Sequence, residues 1–443
     1  MKIRLPWGES GIELALPRRW RVIAHALPKS VAASESVEGE FLRAMSEPVG
    51  AAPMAARNLR GKRVVIVVDD STRPTPAHLF FPHLLRELER AGVEISNTLL
   101  VTALGVHRTM GEEELRKKIG ADALARLRWE NHDARDPSRL SSLGMTRAGT
   151  RVLVNRRLIE ADLIISIGSI EPHVLAGFGG GLKNLVPGCA GVETIGANHL
   201  CGSSGAELAQ IGADPNANPL RRDLEEAAGM IPAEVFIINA VLNPRNEIVR
   251  LFAGDAKLAH REGIRLAREI YGVEVPEPAD VVITDSSPMD TDLRQGAKCI
   301  GNTLAAVKDR GLILAFLKCS EGVGDFKISG RRIPWALTRA IVRAMGKDGV
   351  VRFLDRFRRD LEVEEKFLAV YSIRMLLRNR VLAYAPALET PSGRRAVQFP
   401  LVSNLQKLIR RAYRRAPLNA TVAIFPQGGV TFPILPKEST ATC

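Results

Sequence analysis

Short apolar runs alternate with amphipathic stretches along most of the chain. Six runs rich in valine, isoleucine and leucine have the length of buried strands; they span residues 63–70, 97–104, 161–168, 234–242, 279–286 and 311–317. The stretches 77–92 and 257–272 repeat their apolar positions at helical spacing and end on a glycine, as many helices do. This alternation predicts an α/β fold with mostly parallel sheets covered by helices.

A segment with two prolines interrupts this alternation. Residues 273–280 show no helical period, and a new buried strand follows at once. Such breaks are typical of domain boundaries. We therefore predict two domains, residues 1–275 and 276–443, each a mostly parallel sheet with flanking helices, and we expect the active site in the cleft between them.

The composition is that of a globular chain. Of its 443 residues 46% are hydrophobic, which is enough for large cores. No run approaches the roughly 18 apolar residues of a membrane span, and the N-terminus lacks the apolar core of a signal peptide. We therefore expect a cytoplasmic protein without a membrane segment. The five cysteines form no C-x-x-C pair, so neither a disulfide framework nor a zinc ribbon is indicated.

A formal charge of +13 raises nucleic-acid binding as a distant alternative. Much of the excess falls in segments 351–360 and 405–415, where arginines alternate with apolar residues as on a solvated helix face. Aromatic residues make up only 5% of the chain, which leaves little for base stacking. An acidic small substrate suits the same charge, and we expect no nucleic-acid partner.

A glycine-rich stretch, residues 171–200, follows the predicted strand that ends at Gly168. Ligands of open α/β sheets collect at the carboxyl ends of strands. Four glycines between 177 and 181 let backbone N–H groups approach a phosphate or a planar ring, although a tight structural turn explains them equally well. The stretch matches neither a Walker loop nor G-x-G-x-x-G, because Leu182 interrupts both patterns.

Three side chains in this stretch are candidates for binding or catalysis. On these features alone Lys183 is a phosphate ligand or a surface residue, while a desolvated lysine also serves as a nucleophile. His173 and His199 flank it, and imidazole acts as a metal ligand or a proton shuttle. A lone histidine is more often structural, but two further strand ends add to the pattern. Residues 70–76 combine acid, hydroxyls and arginine, and residues 104–109 carry His107.

Together these segments resemble the nickel-dependent lactate racemases and their relatives that act on other 2-hydroxy acids. The resemblance covers roughly residues 60 to 325. It rests on the patterns D-x-T-R-P-T-P at 70–76, G-x-H-R at 105–108, H-x-x-A-G-x-G-G-G-x-K at 173–183, P-G at 187–188, T-I-x-x-N-H at 194–199 and Q-x-x-K at 295–298.

The resemblance implies a cofactor, the nickel-pincer nucleotide. This pyridinium-3,5-bisthiocarboxylic acid mononucleotide would be attached covalently to Lys183 and would hold nickel, with His199 as the remaining ligand. The residues that we expect around the cofactor are Asp70, Thr72, Gly179, Gly180 and Gly181. The cofactor also implies maturation proteins as partners. The first domain would carry the cofactor, and the second would complete the substrate pocket.

The resemblance also implies the reaction, racemisation or epimerisation of a 2-hydroxy acid. His107 and His173 match the family's two acid/base histidines, and Arg73, Gln295 and Lys298 would hold the substrate carboxylate. The Cα hydrogen of a hydroxy acid is poorly acidic, whereas hydride removal gives a stable keto acid. Return of the hydride to the other face then inverts the centre, with a histidine needed on each side.

Some features depart from the family pattern or remain open. Val106 stands where we expect threonine, and Thr109 stands where proline is common. Cys189 and Cys201 lie close to His199 in sequence, and a thiolate there could join nickel, although buried cysteine is the simpler interpretation. A near alternative is a relative with the same cofactor that epimerises a sugar acid or performs other hydride-linked chemistry.

Overall fold

The computed structural model describes residues 1–8, 10–204, 211–324, 335–358, 361 and 363–436. Their strands are β1 (Lys2–Leu5), β2 (Ile12–Ala15), β3 (Arg21–His25), β4 (Val64–Asp69), β5 (Leu99–Ala103), β6 (Arg128–Asn131), β7 (Leu140–Met145), β8 (Arg151–Asn155), β9 (Leu163–Ser169), β10 (Pro172–His173), β11 (Gly177–Phe178), β12 (Glu234–Leu242), β13 (Ile248–Asp255), β14 (Gly272–Glu274), β15 (Ala279–Asp285), β16 (Val307–Phe316), β17 (Arg380–Tyr384), β18 (Leu401–Val402), β19 (Thr421–Phe425) and β20 (Phe432–Ile434).

The α-helices of the same residues are α1 (Val37–Ser46), α2 (Phe81–Arg90), α3 (Glu112–Ile119), α4 (Ala121–Arg126), α5 (Arg156–Glu160), α6 (Val192–Ser204), α7 (Pro219–Ala228), α8 (Leu258–Tyr271), α9 (Leu293–Gly296), α10 (Lys298–Asn302), α11 (Trp335–Phe357), α12 (Val363–Arg378), α13 (Pro391–Ala396) and α14 (Leu405–Tyr413). Short 3₁₀ turns are Met54–Ala56, Ala77–Leu79, Ile95–Asn97, Pro137–Arg139, Gly181–Asn184, Leu304–Ala306 and Pro386–Leu388. All six predicted strands and both predicted helices are confirmed.

The chain forms two compact units. The central unit consists of the described residues of Ser30–Gly205 and Gly212–Ile270, and the terminal unit of those of Met1–Lys29, Ala206–Ile211 and Tyr271–Cys443. Our sequence boundary assigns residues 1–29 to the first domain. In the structure β3 instead pairs with β19 and so joins the sheet of the terminal unit. The segment 273–280, which we predicted as the domain boundary, overlaps β14, and β14 pairs with β20.

The central unit is built on a six-stranded sheet in the order β13, β12, β9, β4, β5, β6. Every neighbouring pair is parallel except β12 with β13. Each residue of β4 is buried, as is usual where a parallel sheet is covered on both faces. The helices that cover it contribute large apolar side chains, among them Phe41, Phe81 and Leu84, to one buried cluster with the sheet.

The terminal unit has its own six-stranded sheet, in the order β18, β17, β16, β15, β19, β3. All five neighbouring pairs are parallel. Apolar clusters lie on both faces, one containing Val282 and Ile313, the other Ile283 and Leu314. The alternation of these neighbours between clusters follows from the two-residue repeat of strands. The predicted α/β class with parallel-rich sheets and flanking helices is confirmed.

Candidate active site

The site residues of the central unit follow three adjacent strands. In the order β9, β4, β5, the carboxyl ends of all three lie at one edge of the sheet, because the strands are parallel. The segments that leave this edge are residues 70–76 after β4, residues 104–109 after β5 and residues 170–183 after β9. A hydrogen bond from Gly105 N to Gly188 O, 2.8 Å long, connects the second segment to the chain five residues beyond the third.

Asp70 and His107 form a hydrogen-bonded pair across two of these segments. His107 Nδ1 lies 2.5 Å from Asp70 Oδ2, and Thr72 donates to Asp70 Oδ1 through its backbone N–H at 2.8 Å and its hydroxyl at 2.5 Å. Burial opposes ionisation of Asp70, but these hydrogen bonds and the charges of His107 and Arg73 outweigh it, so the pKa of Asp70 lies well below its usual range. The ionised Asp70 accepts from Nδ1, which leaves His107 Nε2 to accept a proton.

Arg73 is paired with an acid that the sequence analysis did not single out. Its guanidinium Nη1 donates to Glu171 Oε1, and the two side chains are 20% and 9% exposed. A guanidinium carries five N–H donors in a planar fork. The ion pair with Glu171 therefore leaves donors on Arg73 for a second carboxylate.

A buried ion pair supports the turn that carries Arg73. Lys118 Nζ donates to Asp69 Oδ1 at 2.8 Å and to the carbonyl oxygen of Arg73 at 2.9 Å. Thr75 donates its hydroxyl to the other oxygen of Asp69. Both Lys118 and Asp69 have side chains only 6% exposed. Loss of one partner would leave an uncompensated buried charge, which typically costs about 3–5 kcal/mol.

His173 is held differently from His107. Its Nδ1 accepts hydrogen bonds from the backbone N–H groups of Leu175 and Ala176 at 3.2 and 3.1 Å. The proton of the neutral ring therefore lies on Nε2. In their neutral forms His107 thus offers an acceptor nitrogen and His173 a donor nitrogen.

Lys183 is a half-buried lysine in the 3₁₀ turn Gly181–Asn184. Burial lowers the pKa of its ammonium to about 7, aided by the positive charges of Arg73 and Arg221, while Asp70 and Glu171 oppose the shift. Lys183 is therefore partly neutral near pH 7. A neutral amine is a nucleophile, whereas an ammonium is not.

Buried side chains hold the glycine-rich segment before Lys183 in place. Arg221, which is fully buried, donates to the carbonyl oxygens of Ala176, Phe178 and Gly180. His260 Nε2 lies 2.7 Å from the carbonyl oxygen of Gly179. These side chains come from α7 and α8, so two helices fix one loop.

The same packing explains the glycines. Gly180 and Gly181 have φ of +70° and +63°, and a Cβ on either would approach Asn239 or His260 within 3 Å. The N–H of Gly179 donates to Glu171 O, and that of Gly181 donates to Asn239 Oδ1, both at 2.7 Å. These two N–H groups are used within the protein. Binding of a cofactor by Gly179, Gly180 and Gly181 stays a prediction, and the tight structural turn accounts for the contacts seen.

His199 lies half-buried in α6. Ile195 lies four residues earlier on the same face of this helix. Its Cδ1 is 4.0 Å from the position that a Cβ would take on Gly105. The face of α6 that carries His199 is therefore the face near the His107 segment. No group of three or more His, Cys, Asp or Glu side chains suited to a metal ion occurs among the described residues.

Residues 7–210 match the family model of the lactate racemase N-terminal domain. A lactate racemase of Thermoanaerobacterium thermosaccharolyticum is 33% identical over 325 residues, which cover 73% of this chain and 75% of that protein. A lactate racemase of Lactiplantibacillus plantarum is 30% identical over 392 residues, or 87% and 88% of the two chains. The chain belongs to the lactate racemase family. It is an isomerase of the racemase class.

Solved structures agree with this assignment. The lactate racemase apoprotein of T. thermosaccharolyticum superposes with a TM-score of 0.83 and 27% identity, over 99% of this chain and 100% of that one. A protein from Thermotoga maritima matches with a TM-score of 0.62 and 20% identity, over 92% and 100%, and this similarity concerns the fold alone. None of the described helices is both long and apolar enough to cross a membrane.

In this member of the lactate racemase family, the central unit gathers most of the predicted site. Hydrogen bonds join Asp70 to Thr72 and His107, and charge interactions link Asp70 and Arg73 to Lys183. Gln295 in α9 and Lys298 in α10 belong to the terminal unit, where both are half-buried. Their part in carboxylate binding stays a prediction.

Three residues that support the site, Glu171, Arg221 and Lys118, were not predicted from the sequence. Glu171 lies two residues before His173, and this closeness in sequence was the feature that could have indicated a role in the site. Arg221 and Lys118 lie in ordinary amphipathic helices, where arginine and lysine normally face solvent. The thiol of Cys189 is fully buried, and burial raises its pKa far above the usual range, which supports the interpretation of a buried cysteine.

Replacing Arg221 is expected to slow acylation of Lys183 at neutral pH. The Arg221→Met variant loses a buried cation that lowers the pKa of Lys183, and a rise of that pKa by one unit from about 7 lowers the neutral fraction at pH 7 about fivefold. Mass-spectrometric labelling rates of Lys183 in apoprotein between pH 6 and 10 measure the shift. Arg222→Met, at an exposed neighbour, is the control, and equal profiles for both variants would contradict the role of Arg221.

The terminal unit contains a buried acid that the sequence analysis also missed. Asp285 ends β15 and is 2% exposed. Its Oδ1 accepts from Ser287 N at 2.7 Å, whereas Oδ2 has no hydrogen-bond partner among the described residues. Burial raises the pKa of this carboxyl to about 8, with a smaller contribution from the charge of Asp290.

Asp285 is expected to make the protein less stable as the pH rises from 5 to 8. The folded state retains its proton in this range while the unfolded state does not, so the free energy of unfolding falls. The slope is up to about 1.4 kcal/mol per pH unit, and Asp285→Asn should flatten the profile by at least about 2 kcal/mol. Urea unfolding at several pH values measures this. Asp309→Asn, an exposed acid, is the control, and parallel profiles of wild type and Asp285→Asn would refute the prediction.

Proposed function

We propose that this protein racemises lactate or a closely related 2-hydroxy acid, using a nickel-pincer nucleotide attached to Lys183. The proposal rests on one observation above all. A lysine with a pKa near 7 stands on a loop beside an Asp70–His107 pair and the cation Arg73. Membership of the lactate racemase family supports lactate as the substrate.

The residues present fit such a cofactor. Covalent attachment through an amide or thioamide needs an unprotonated amine, and Lys183 is partly neutral at physiological pH. Among the described residues its ammonium has no hydrogen-bonding partner, so attachment breaks no contact seen in the structure. His199 would supply a nitrogen ligand to nickel from α6. When bound, the cofactor supplies a hydride acceptor.

The protein side chains perform the acid/base work. His107 Nε2 takes the proton of the substrate hydroxyl, while Asp70 stabilises the imidazolium that forms. With a neutral ring, His173 donates a hydrogen bond from Nε2 to the substrate oxygen from the other side; in its imidazolium form it returns a proton to the carbonyl oxygen of the keto acid. The reverse conversion requires the two rings to exchange these protonation states. Arg73 anchors the carboxylate while the planar keto acid turns.

The decisive experiment is an assay of racemisation with protein from a host that makes the cofactor. D- and L-lactate deuterated at Cα are followed by chiral chromatography, with the nickel content and intact mass determined on the same sample. We expect interconversion with a primary isotope effect and retention of most of the label. Rapid loss of deuterium to water would indicate a carbanion mechanism. Racemisation by protein without nickel or adduct would refute the cofactor.

A further inference from the structure

A cavity in the terminal unit is lined by arginines. It has a volume of about 430 Å³ and is bordered by Pro17, Arg18 and Arg19 on one side. The other side is formed by the end of α14 and the residue after it, with Ile409, Arg410, Tyr413 and Arg414. All four arginines are exposed.

The core of the terminal unit fixes the two sides of this cavity against each other. Residues 17–20 form a turn closed by a 3.1 Å hydrogen bond from Trp20 N to Pro17 O. Trp20 is buried in the same apolar cluster as Leu408 and Ala412 of α14. Arg410 follows Leu408 by two residues, Arg414 follows Ala412 by two residues, and both arginines are exposed. The arginines are therefore presented by a packed framework.

The charges of this cavity are uncompensated. Its lining contains no acidic residue, and among the described residues none of the four guanidinium groups forms an ion pair. Other arginines of the chain, such as Arg108 and Arg378, have carboxylate partners. Four like charges around one cavity repel each other, and an anion bound between them would remove this repulsion.

We propose that this cavity, which we call the arginine cavity, binds a nucleoside di- or triphosphate. Guanidinium groups bind phosphate oxygens bidentately, and several of them match a ligand with more than one phosphate. Pro17, Ile409 and Tyr413 provide apolar and aromatic surface for a planar base. The volume falls in the range usual for small-molecule sites, about 300–1,000 Å³. This site is independent of the chemistry at Lys183.

Calorimetric titration of the full-length protein with ATP tests the proposal. We expect saturable binding of one ATP per chain, weaker binding of inorganic phosphate and no detectable binding of adenosine. The double variant Arg410→Ala/Arg414→Ala loses charge-assisted hydrogen bonds and should bind ATP at least about tenfold more weakly. Both residues are exposed, so the fold should persist, which circular dichroism checks.

The matched control is Arg222→Ala/Arg395→Ala, which removes two exposed positive charges elsewhere. It should bind ATP as the wild type does. Equal weakening in both double variants would overturn the proposal, because it would indicate a general effect of net charge. Equally tight binding of phosphate and ATP would also overturn the proposal, because it would indicate a site for phosphate alone to which the base contributes nothing. In a further outcome, the wild type prefers a single-stranded oligonucleotide to ATP, and this preference is lost in both double variants. That result would overturn the proposal and indicate a nonspecific nucleic-acid surface.

Discussion

Lys183→Ala is expected to carry neither a covalent adduct nor nickel and to have no racemase activity above background. The wild-type protein from the same host should carry an adduct of several hundred daltons on Lys183. The alanine variant lacks the amine to which the cofactor would be attached. Intact mass, peptide mapping and metal analysis of the two proteins measure the difference.

Lys183→Arg is the matched control for charge. It preserves a cation at this position, but its guanidinium does not deprotonate near neutral pH, so it should also lack the adduct. Retention of nickel or activity in either variant would contradict attachment at Lys183. An adduct that peptide mapping places on another lysine would do the same.

Asp70→Asn is expected to lower the turnover number by at least about a hundredfold while leaving the adduct in place. Asp70 orients His107 through Nδ1 and stabilises its protonated form. An asparagine amide donates where the carboxylate accepts, so it favours the tautomer in which Nε2 already carries a proton. Orienting acids and general bases are typically worth 10²–10⁴-fold in rate. Steady-state kinetics, with intact mass to confirm cofactor loading, measure the effect.

Thr72→Val separates this role from general disruption of the turn. It removes one hydroxyl hydrogen bond to Asp70 but retains the carboxylate, so the loss of turnover should be much smaller. The pKa of Asp70 lies below its usual range, so Asp70 itself should contribute no pH dependence between pH 5 and 8. Equal losses in Asp70→Asn and Thr72→Val would show that the carboxylate has no special part.

The strands and the class of fold could be predicted because their signals are local. Runs such as 63–70 and 161–168 are apolar throughout, and only a parallel sheet buried on both faces accommodates them readily. The chemical segments could also be placed, since each directly follows such a strand. Parallel strands then bring Asp70 and His107, 37 residues apart, to one edge.

The partners of the site could not be predicted, because they depend on contacts between distant segments. Nothing near Arg73 indicates that it pairs with Glu171, 98 residues away. Arg221 looks like any arginine of an amphipathic helix until the glycine-rich loop is folded over it. The glycines themselves had two interpretations. The structure shows that the absence of side chains at these glycines lets Asn239 and His260 pack closely against the loop.

The membership of β3 in the terminal sheet has a consequence for the order of events on the ribosome. Arg21–His25 are synthesised about 400 residues before their partners Thr421–Ile424. At about 5–20 residues per second, roughly 20–80 s pass before this edge strand meets its neighbour. The central sheet, whose strands lie between residues 64 and 255, is complete long before then. During that time Arg21–His25 have no partner strand, so the apolar side chains and the unpaired edge of this segment are open to contacts with other chains.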